Sequence, residues 1–246
     1  MGKARSKENT DLSELAKSIF TRIEEKYVIT ADKLDAIAPV LAQHMHGDDY
    51  GMSTVCSMYF DTPDMRVIRA SVDAKAYKEK LRLRCYGVPT QTSNAFVELK
   101  KKYLGIVYKR RFKMPYANAV SFLTGLSPAP DTQMGREVDY FLRFYPDLQP
   151  MIDIFCERVA LFGNDDEGLR LTVDRNIRYR MDELDLTRGS RGTPILPEDT
   201  FIMEIKSFTA FPLWLTRLLD ENGIYPQKFS KYRHAYELEL KKRLNR

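Results

Sequence analysis

In the segment "KLRLRCYG" (residues 80–87), Lys80, Arg82 and Arg84 alternate with Leu81, Leu83 and Cys85. On an extended strand, with its period of two, the cations share one face and the apolar side chains the other. The pattern returns along the chain. "RIEEKYVI" (22–29) aligns Arg22, Glu24 and Lys26, "AFVELKKK" (95–102) aligns Glu98, Lys100 and Lys102, and "GIVYKRRFKM" (105–114) aligns Lys109, Arg111 and Lys113. "LRLTVDRNIRYR" (169–180) aligns Arg170, Thr172, Asp174 and Asn176, and "FIMEIKSF" (201–208) aligns Glu204 with Lys206. Any fold for this chain must give these charged faces a home.

An ordinary half-buried sheet turns its charged face to water. Here the cations come in tight pairs, and a carboxylate stands two residues before a lysine at Glu24-Lys26, Glu98-Lys100 and Glu204-Lys206. Helical patterns at 32–43, 63–73, 115–125, 135–146, 211–222 and 230–243 also need apolar surface to cover. If they take the apolar strand faces, the cations turn inward. Strands at 22–29, 52–61, 79–86, 95–102, 106–114, 150–162, 169–180 and 201–208 then predict an α+β protein built on a closed antiparallel β-barrel tunnel, with helices outside and a charged lumen. Something anionic must fill that lumen, because each unpaired buried charge opposes folding by several kcal/mol. The net charge of +5 and pI near 8.9 agree with an anionic partner.

The rest of the chain narrows the setting. With 246 residues, 43% of them hydrophobic, the chain can bury one sizeable core. The expected organisation is an arm and short helix over 1–20, the helix at 11–20, followed by one domain over 21–246 with a Gly/Pro-rich loop at 186–199. Cys56, Cys85 and Cys156 sit in apolar, strand-like runs and read as buried reduced thiols. No apolar run of about 18 residues is present, and no secretory leader is recognisable at the start, so the expected location is the cytoplasm. There is no Gly-rich phosphate loop, dinucleotide fingerprint or nucleophile elbow. "HMH" (44–46) reads as a solvated loop and His234 as a structural residue. In "KFSKY" (228–232), Ser230 stands where the last helix begins, so its hydroxyl and the free backbone N–H groups form an anion site flanked by Lys228 and Lys231.

Taken together, "EEKY" (24–27), "SMYFDT" (57–62), "KLRLR" (80–84), "VELK" (97–100), "VYKRRF" (107–112), "ERVAL" (157–161), "LRLTVD" (169–174), "MEIK" (203–206) and "KFSKY" (228–232) resemble, in order and spacing, the polyphosphate polymerase domain of the vacuolar transporter chaperone family, within the triphosphate tunnel metalloenzymes. The resemblance implies a tunnel barrel with a C-terminal helix plugging one end. It also implies transfer of the terminal phosphate of ATP or another triphosphate onto inorganic polyphosphate, with pyrophosphate as a further ligand. Hydrolysis of triphosphates and polyphosphate binding without turnover remain open alternatives, and nucleic acid is not an expected partner.

By the same resemblance, Glu204 holds a divalent metal, Mn²⁺ or Mg²⁺; Glu24 and Glu98 are either further metal ligands or ion-pair partners. Arg82, Arg84, Arg158 and Arg170 suit bidentate contacts to phosphate oxygens, with Lys100 among the catalytic set. Lys26, Lys109, Arg111, Lys206, Lys228, Ser230 and Lys231 are expected to bind substrate. Relatives that hydrolyse triphosphates begin with Glu-x-Glu-x-Lys, whereas Arg22 stands here at the first position. The loss of a carboxylate that could orient water favours phosphate as acceptor.

Overall fold

The computed structural model describes residues 23–73, 76–104 and 106–244. The expected arm and helix over 1–20, and Arg22, lie outside the described residues. The strands are β1 (Ile23–Thr30), β2 (Met45–Gly47), β3 (Ser53–Asp61), β4 (Tyr77–Tyr86), β5 (Asn94–Tyr103), β6 (Ile106–Pro115), β7 (Gln149–Gly163), β8 (Arg170–Arg180), β9 (Thr193–Pro194) and β10 (Thr200–Ser207). The helices are α1 (Ala31–His44), α2 (Arg66–Asp73), α3 (Tyr116–Leu123), α4 (Gln133–Phe144), α5 (Leu213–Glu221) and α6 (Lys231–Leu244). A 3₁₀ turn at Leu186–Arg188 and β9 lie within the expected loop.

One antiparallel sheet runs in the order β1-β10-β8-β7-β3-β4-β5-β6, with β2 added to β7 and β9 to β8. Alternation dictates its two faces. Leu81, Leu83 and Cys85 of β4, with Ala95, Val97 and Leu99 of β5, are buried on the outer face against α3 and α4. On the other flank, Tyr27, Ile29, Leu171, Met203 and Ile205 are buried against α1 and α5. The helices have taken the apolar faces, and the curled sheet turns its charged face inward. The ladder does not close by hydrogen bonding: among the described residues no pairing joins β1 to β6, so the expected barrel is a half-barrel at this seam. An ion pair links β5 to β1 across the inner side instead, from Lys100 Nζ to Glu24 Oε1 at 3.8 Å.

A third apolar cluster lies on the inner side. Val55 and Tyr59 of β3, Ile152, Ile154 and Cys156 of β7, and Ile177 and Tyr179 of β8 meet Tyr232 and Ala235 of α6. The C-terminal helix therefore covers one part of the inner face, as a plug should. The switch from charge to hydrocarbon along β8 occurs at Asn176, whose φ of 50° marks a bulge where the β7–β8 register shifts. An extra residue there reverses the alternation, so Ile177 and Tyr179 take the side that Thr172 and Asp174 occupy earlier. Asn176 itself is exposed and donates to Glu157, which removes it from the face it was expected to share with Arg170. The "HMH" reading is also corrected. His44 ends α1 and stacks on Trp214 at 4.2 Å, while Met45 and His46 belong to β2. His234, as expected, is structural: it stacks on Phe229 at 4.1 Å. The three cysteines are buried and unpaired.

Candidate functional site

The inner face gathers most of the expected residues, and most of these meet a resident carboxylate or aromatic. Register places Lys80, Lys100 and Lys109 on one rung, and Arg82, Glu98 and Arg111 on the next. Glu98, only 1% exposed, anchors that rung. Its Oε2 receives Arg82 Nε at 2.6 Å and lies 3.8 Å from Arg84 Nε, while its Oε1 lies 2.9 Å from Lys109 Nζ and 3.6 Å from Arg111 Nε. Burial alone would raise the Glu98 pKa, but these cations hold it well below the usual carboxylate range. Glu98 is thus the shared ion-pair partner of four cations from β4 and β6.

A second knot joins β7, β8 and α6. Arg158 grips Asp174 in a two-pronged pair at 2.6 and 2.7 Å, and Lys231 donates to the same carboxylate. Asp174 is 1% exposed. Burial opposes its ionisation, but Lys231 and Arg158 overcome that and depress its pKa strongly. Lys231, expected to bind substrate, thus also ties the start of the plug helix to the sheet. Ser230 precedes α6, accepts the backbone N–H of Arg233 at 3.4 Å as an N-cap, and accepts from Lys80 Nζ at 2.8 Å. Lys228 stands exposed before the helix, outside this network.

The third group is a carboxylate pair with shared lysines. Antiparallel register sets Glu24 opposite Lys206 and Lys26 opposite Glu204. Lys26 lies 2.6 Å from Glu24 and 3.6 Å from Glu204, and Lys206 pairs with Glu204 while standing 3.8 Å from Glu24. Burial would raise the Glu204 pKa, yet Lys206 and Lys26 hold it far below its ordinary value. Beside this group, Arg170 faces Lys206 and Thr172 faces Glu204; Arg170 Nε and Thr172 Oγ1 are buried without a hydrogen-bond partner. Arg170 also lies over the Phe162 ring at 5.0 Å.

No three metal-binding side chains converge among the described residues. A hard divalent ion that takes one or two carboxylates and fills its remaining positions with phosphate and water needs no more than a pair. Glu204 and Glu24 meet that description, sharing Lys26 and Lys206 and standing close enough for Glu204 to oppose ionisation of Glu24. Both are ionised through their lysines, and both supply the oxygen donors such an ion prefers.

Three functional candidates escaped the sequence reading. Tyr59 accepts from Arg82 Nη1 at 3.0 Å and stacks on Tyr232 at 4.6 Å. Burial would raise its pKa, but Arg82, Arg84 and Lys80 bring it down to about 8. Burial lowers the Lys80 ammonium to about 8. Asp174 was visible as an inner-face residue, but its role depends on Arg158 and Lys231, which only the fold brings to it.

These shifts predict proton uptake on anion binding. Burial holds Lys80, Lys100 and Lys109 below their ordinary values, and brings Lys80 to about 8, so near pH 8 that ammonium has lost part of its charge in the empty site. A bound polyanion stabilises the ammonium forms and raises those values, so protons enter with the ligand. Calorimetry with tripolyphosphate at pH 8, in two buffers of different ionisation enthalpy, should give a net uptake that shrinks toward pH 6.5. Proton release at pH 8 would contradict it.

Comparison with known proteins places this geometry. No curated protein matches the sequence. Among solved structures, a candidate adenylate cyclase from Bacillus halodurans superposes with a TM-score of 0.54 at 13% identity, covering 85% of this chain and 93% of its own. A candidate adenylate cyclase from Vibrio parahaemolyticus gives 0.50 at 12% identity, covering 87% and 97%. A candidate adenylyl cyclase from Hippeastrum, described as having a dominant triphosphatase activity, gives 0.50 at 15% identity over 86% and 93%. At such identities these likenesses establish a shared tunnel fold. Residues 21–240, which carry every strand among the described residues and most of the plug helix, match the VTC domain, and the chain belongs to that family.

Proposed function

We propose that the inner face binds the phosphates of a nucleoside triphosphate, such as ATP, and transfers the terminal phosphoryl group to inorganic polyphosphate. The observation that carries this reading is the gathering of Arg82, Arg84, Lys100, Arg158, Arg170 and Lys206 on the inner face of one curled sheet, with Glu98, Asp174 and the Glu24–Glu204 pair set among them. Phosphoryl transfer requires placement and charge neutralisation more than covalent help. Arg82 and Arg84 orient non-bridging oxygens, Arg158 and Arg170 approach from the opposite strands, and the lysines follow the chain as point charges. The buried Arg170 Nε supplies a donor that still needs an acceptor.

A divalent ion such as Mn²⁺ or Mg²⁺, held by Glu204 with Glu24 beside it, would supply further neutralisation at the phosphoryl oxygens. Simple capture of an anion calls for cations only, so this pair of carboxylates favours an enzyme over a binding module. Hydrolysis is the second reading, supported by the triphosphatase activity described for the Hippeastrum protein of the same fold. The deciding experiment incubates pure protein with ATP and Mn²⁺ and asks whether acid-resistant phosphate polymer or free phosphate accumulates. Absence of both with any divalent metal, despite tight triphosphate binding, would leave capture as the function.

Arg82→Ala tests the cationic contacts. It removes a phosphate contact present in both ground and transition states, so affinity and rate should fall together. A charged hydrogen bond is worth about 1.5–3 kcal/mol, which corresponds to a loss of roughly ten- to a hundredfold in tripolyphosphate affinity. Calorimetry on the variant checks this; unchanged affinity would remove Arg82 from the site.

A further inference from the structure

The inner-face row on β4 does not end at its last cation. Alternation carries it from Lys80 through Arg82 and Arg84 to Tyr86, the final residue of the strand, before the chain turns at Gly87 with φ of 80°. Tyr86 is 49% exposed, while the residues before it in the row are half-buried. It is also braced. Phe96, opposite Arg84 in register, meets the Tyr86 ring edge-on at 5.8 Å and an interplanar angle of 77°. The Arg111 guanidinium covers Phe96 at 3.7 Å and lies 5.8 Å from the Tyr86 ring. One aromatic ring therefore stands half-open to solvent at the end of a phosphate-binding row, with its orientation set by a second ring and a guanidinium.

We propose that Tyr86, braced by Phe96 and Arg111, is a stacking platform for the base of a nucleoside triphosphate. Residues on one strand face repeat every ~6.6 Å, so the row from Lys80 to Tyr86 spans about 20 Å. Phosphates at its cationic end and a base at its aromatic end fix the direction of the nucleotide: the terminal phosphate points inward and the base stays at the rim. Arg111 stands between the two, with one contact to the aromatic pair and one to Glu98. Stacking tolerates any base face, so purine triphosphates are accepted without selection between adenine and guanine.

This assignment rests on the triphosphate reading and is tested separately from it by comparing ATP with inorganic tripolyphosphate, which has no base. For Tyr86→Ala, ATP affinity measured by calorimetry should fall about tenfold, while tripolyphosphate affinity is unchanged. Tyr86→Phe should keep both. If Tyr86→Ala leaves ATP affinity intact, or weakens both ligands equally, the platform is refuted while the phosphate site stands. If the wild type binds neither ligand, the triphosphate reading fails and the platform with it.

Discussion

Glu204→Gln is expected to lower turnover by about 10² or more while triphosphate affinity holds or rises. The substitution preserves shape and removes a charge from a carboxylate that Lys206 and Lys26 keep ionised. If a divalent ion is held there, neutralisation of the transferring group weakens, and the ground-state complex loses one repelling anion. The two readouts should therefore move apart, whereas those of Arg82→Ala move together. Turnover with Mn²⁺ or Mg²⁺, measured beside tripolyphosphate affinity by calorimetry, checks both halves. Full metal-dependent activity in Glu204→Gln would place the ion elsewhere, and Glu24 would be the next position to test.

Asp174→Ala should be the most destabilising change at the site. Asp174 is buried and is the shared partner of Arg158 and Lys231. Removing one member of a buried ionic group leaves the others uncompensated and typically costs about 3–5 kcal/mol. For a protein of this size that is a fall in melting temperature of roughly 10 °C. The loss should be partly reversed by sulfate or tripolyphosphate, because an anion entering the site restores the missing counter-charge and binds the folded state only. A melting temperature equal to that of the wild type would show that Arg158 and Lys231 find other partners, and the knot would lose its structural role.

The period of two was enough to read the architecture. Leu81 and Leu83 lie in the outer core and Arg82 and Arg84 on the inner face because one alternation governs both, and the helices were placed by the apolar faces they had to cover. Periodicity is silent where a single residue breaks phase. Asn176 was assigned to the charged face because nothing in "VDRNIRY" announces an inserted residue, though Asn is among the few side chains that tolerate positive φ. Closure was likewise beyond reach. Whether β1 and β6 meet depends on the curl summed over the whole sheet, which no local pattern records. At the site, cations identified themselves by clustering, but the meaning of carboxylates did not. Glu98 and Glu204 each precede a lysine by two, yet Glu98 draws its four cations to itself, whereas Glu204 shares Lys26 and Lys206 with a second carboxylate, Glu24. That difference arises across strands. Lys228 was grouped with Lys231 by proximity in the chain, and the helix start then turned only Lys231 toward Asp174.

The resident carboxylates turn the cavity into something like an ion-exchange resin loaded with its own counter-ions. Glu98, Asp174 and the Glu24–Glu204 pair already occupy much of the bonding capacity of the basic groups. If phosphates bind here as proposed, each must displace a carboxylate from most of the cations it meets, Lys80 and Arg170 excepted, so its net gain per contact is the difference between two similar pairings. When the phosphate leaves, the carboxylate returns and no cation is stranded. Such exchange flattens the free-energy profile along the row, as multi-site ion pathways require if what enters is also to leave. A polyanion held this way could advance by one repeat at a time without a deep trap, which is the mechanical condition for lengthening a chain without releasing it.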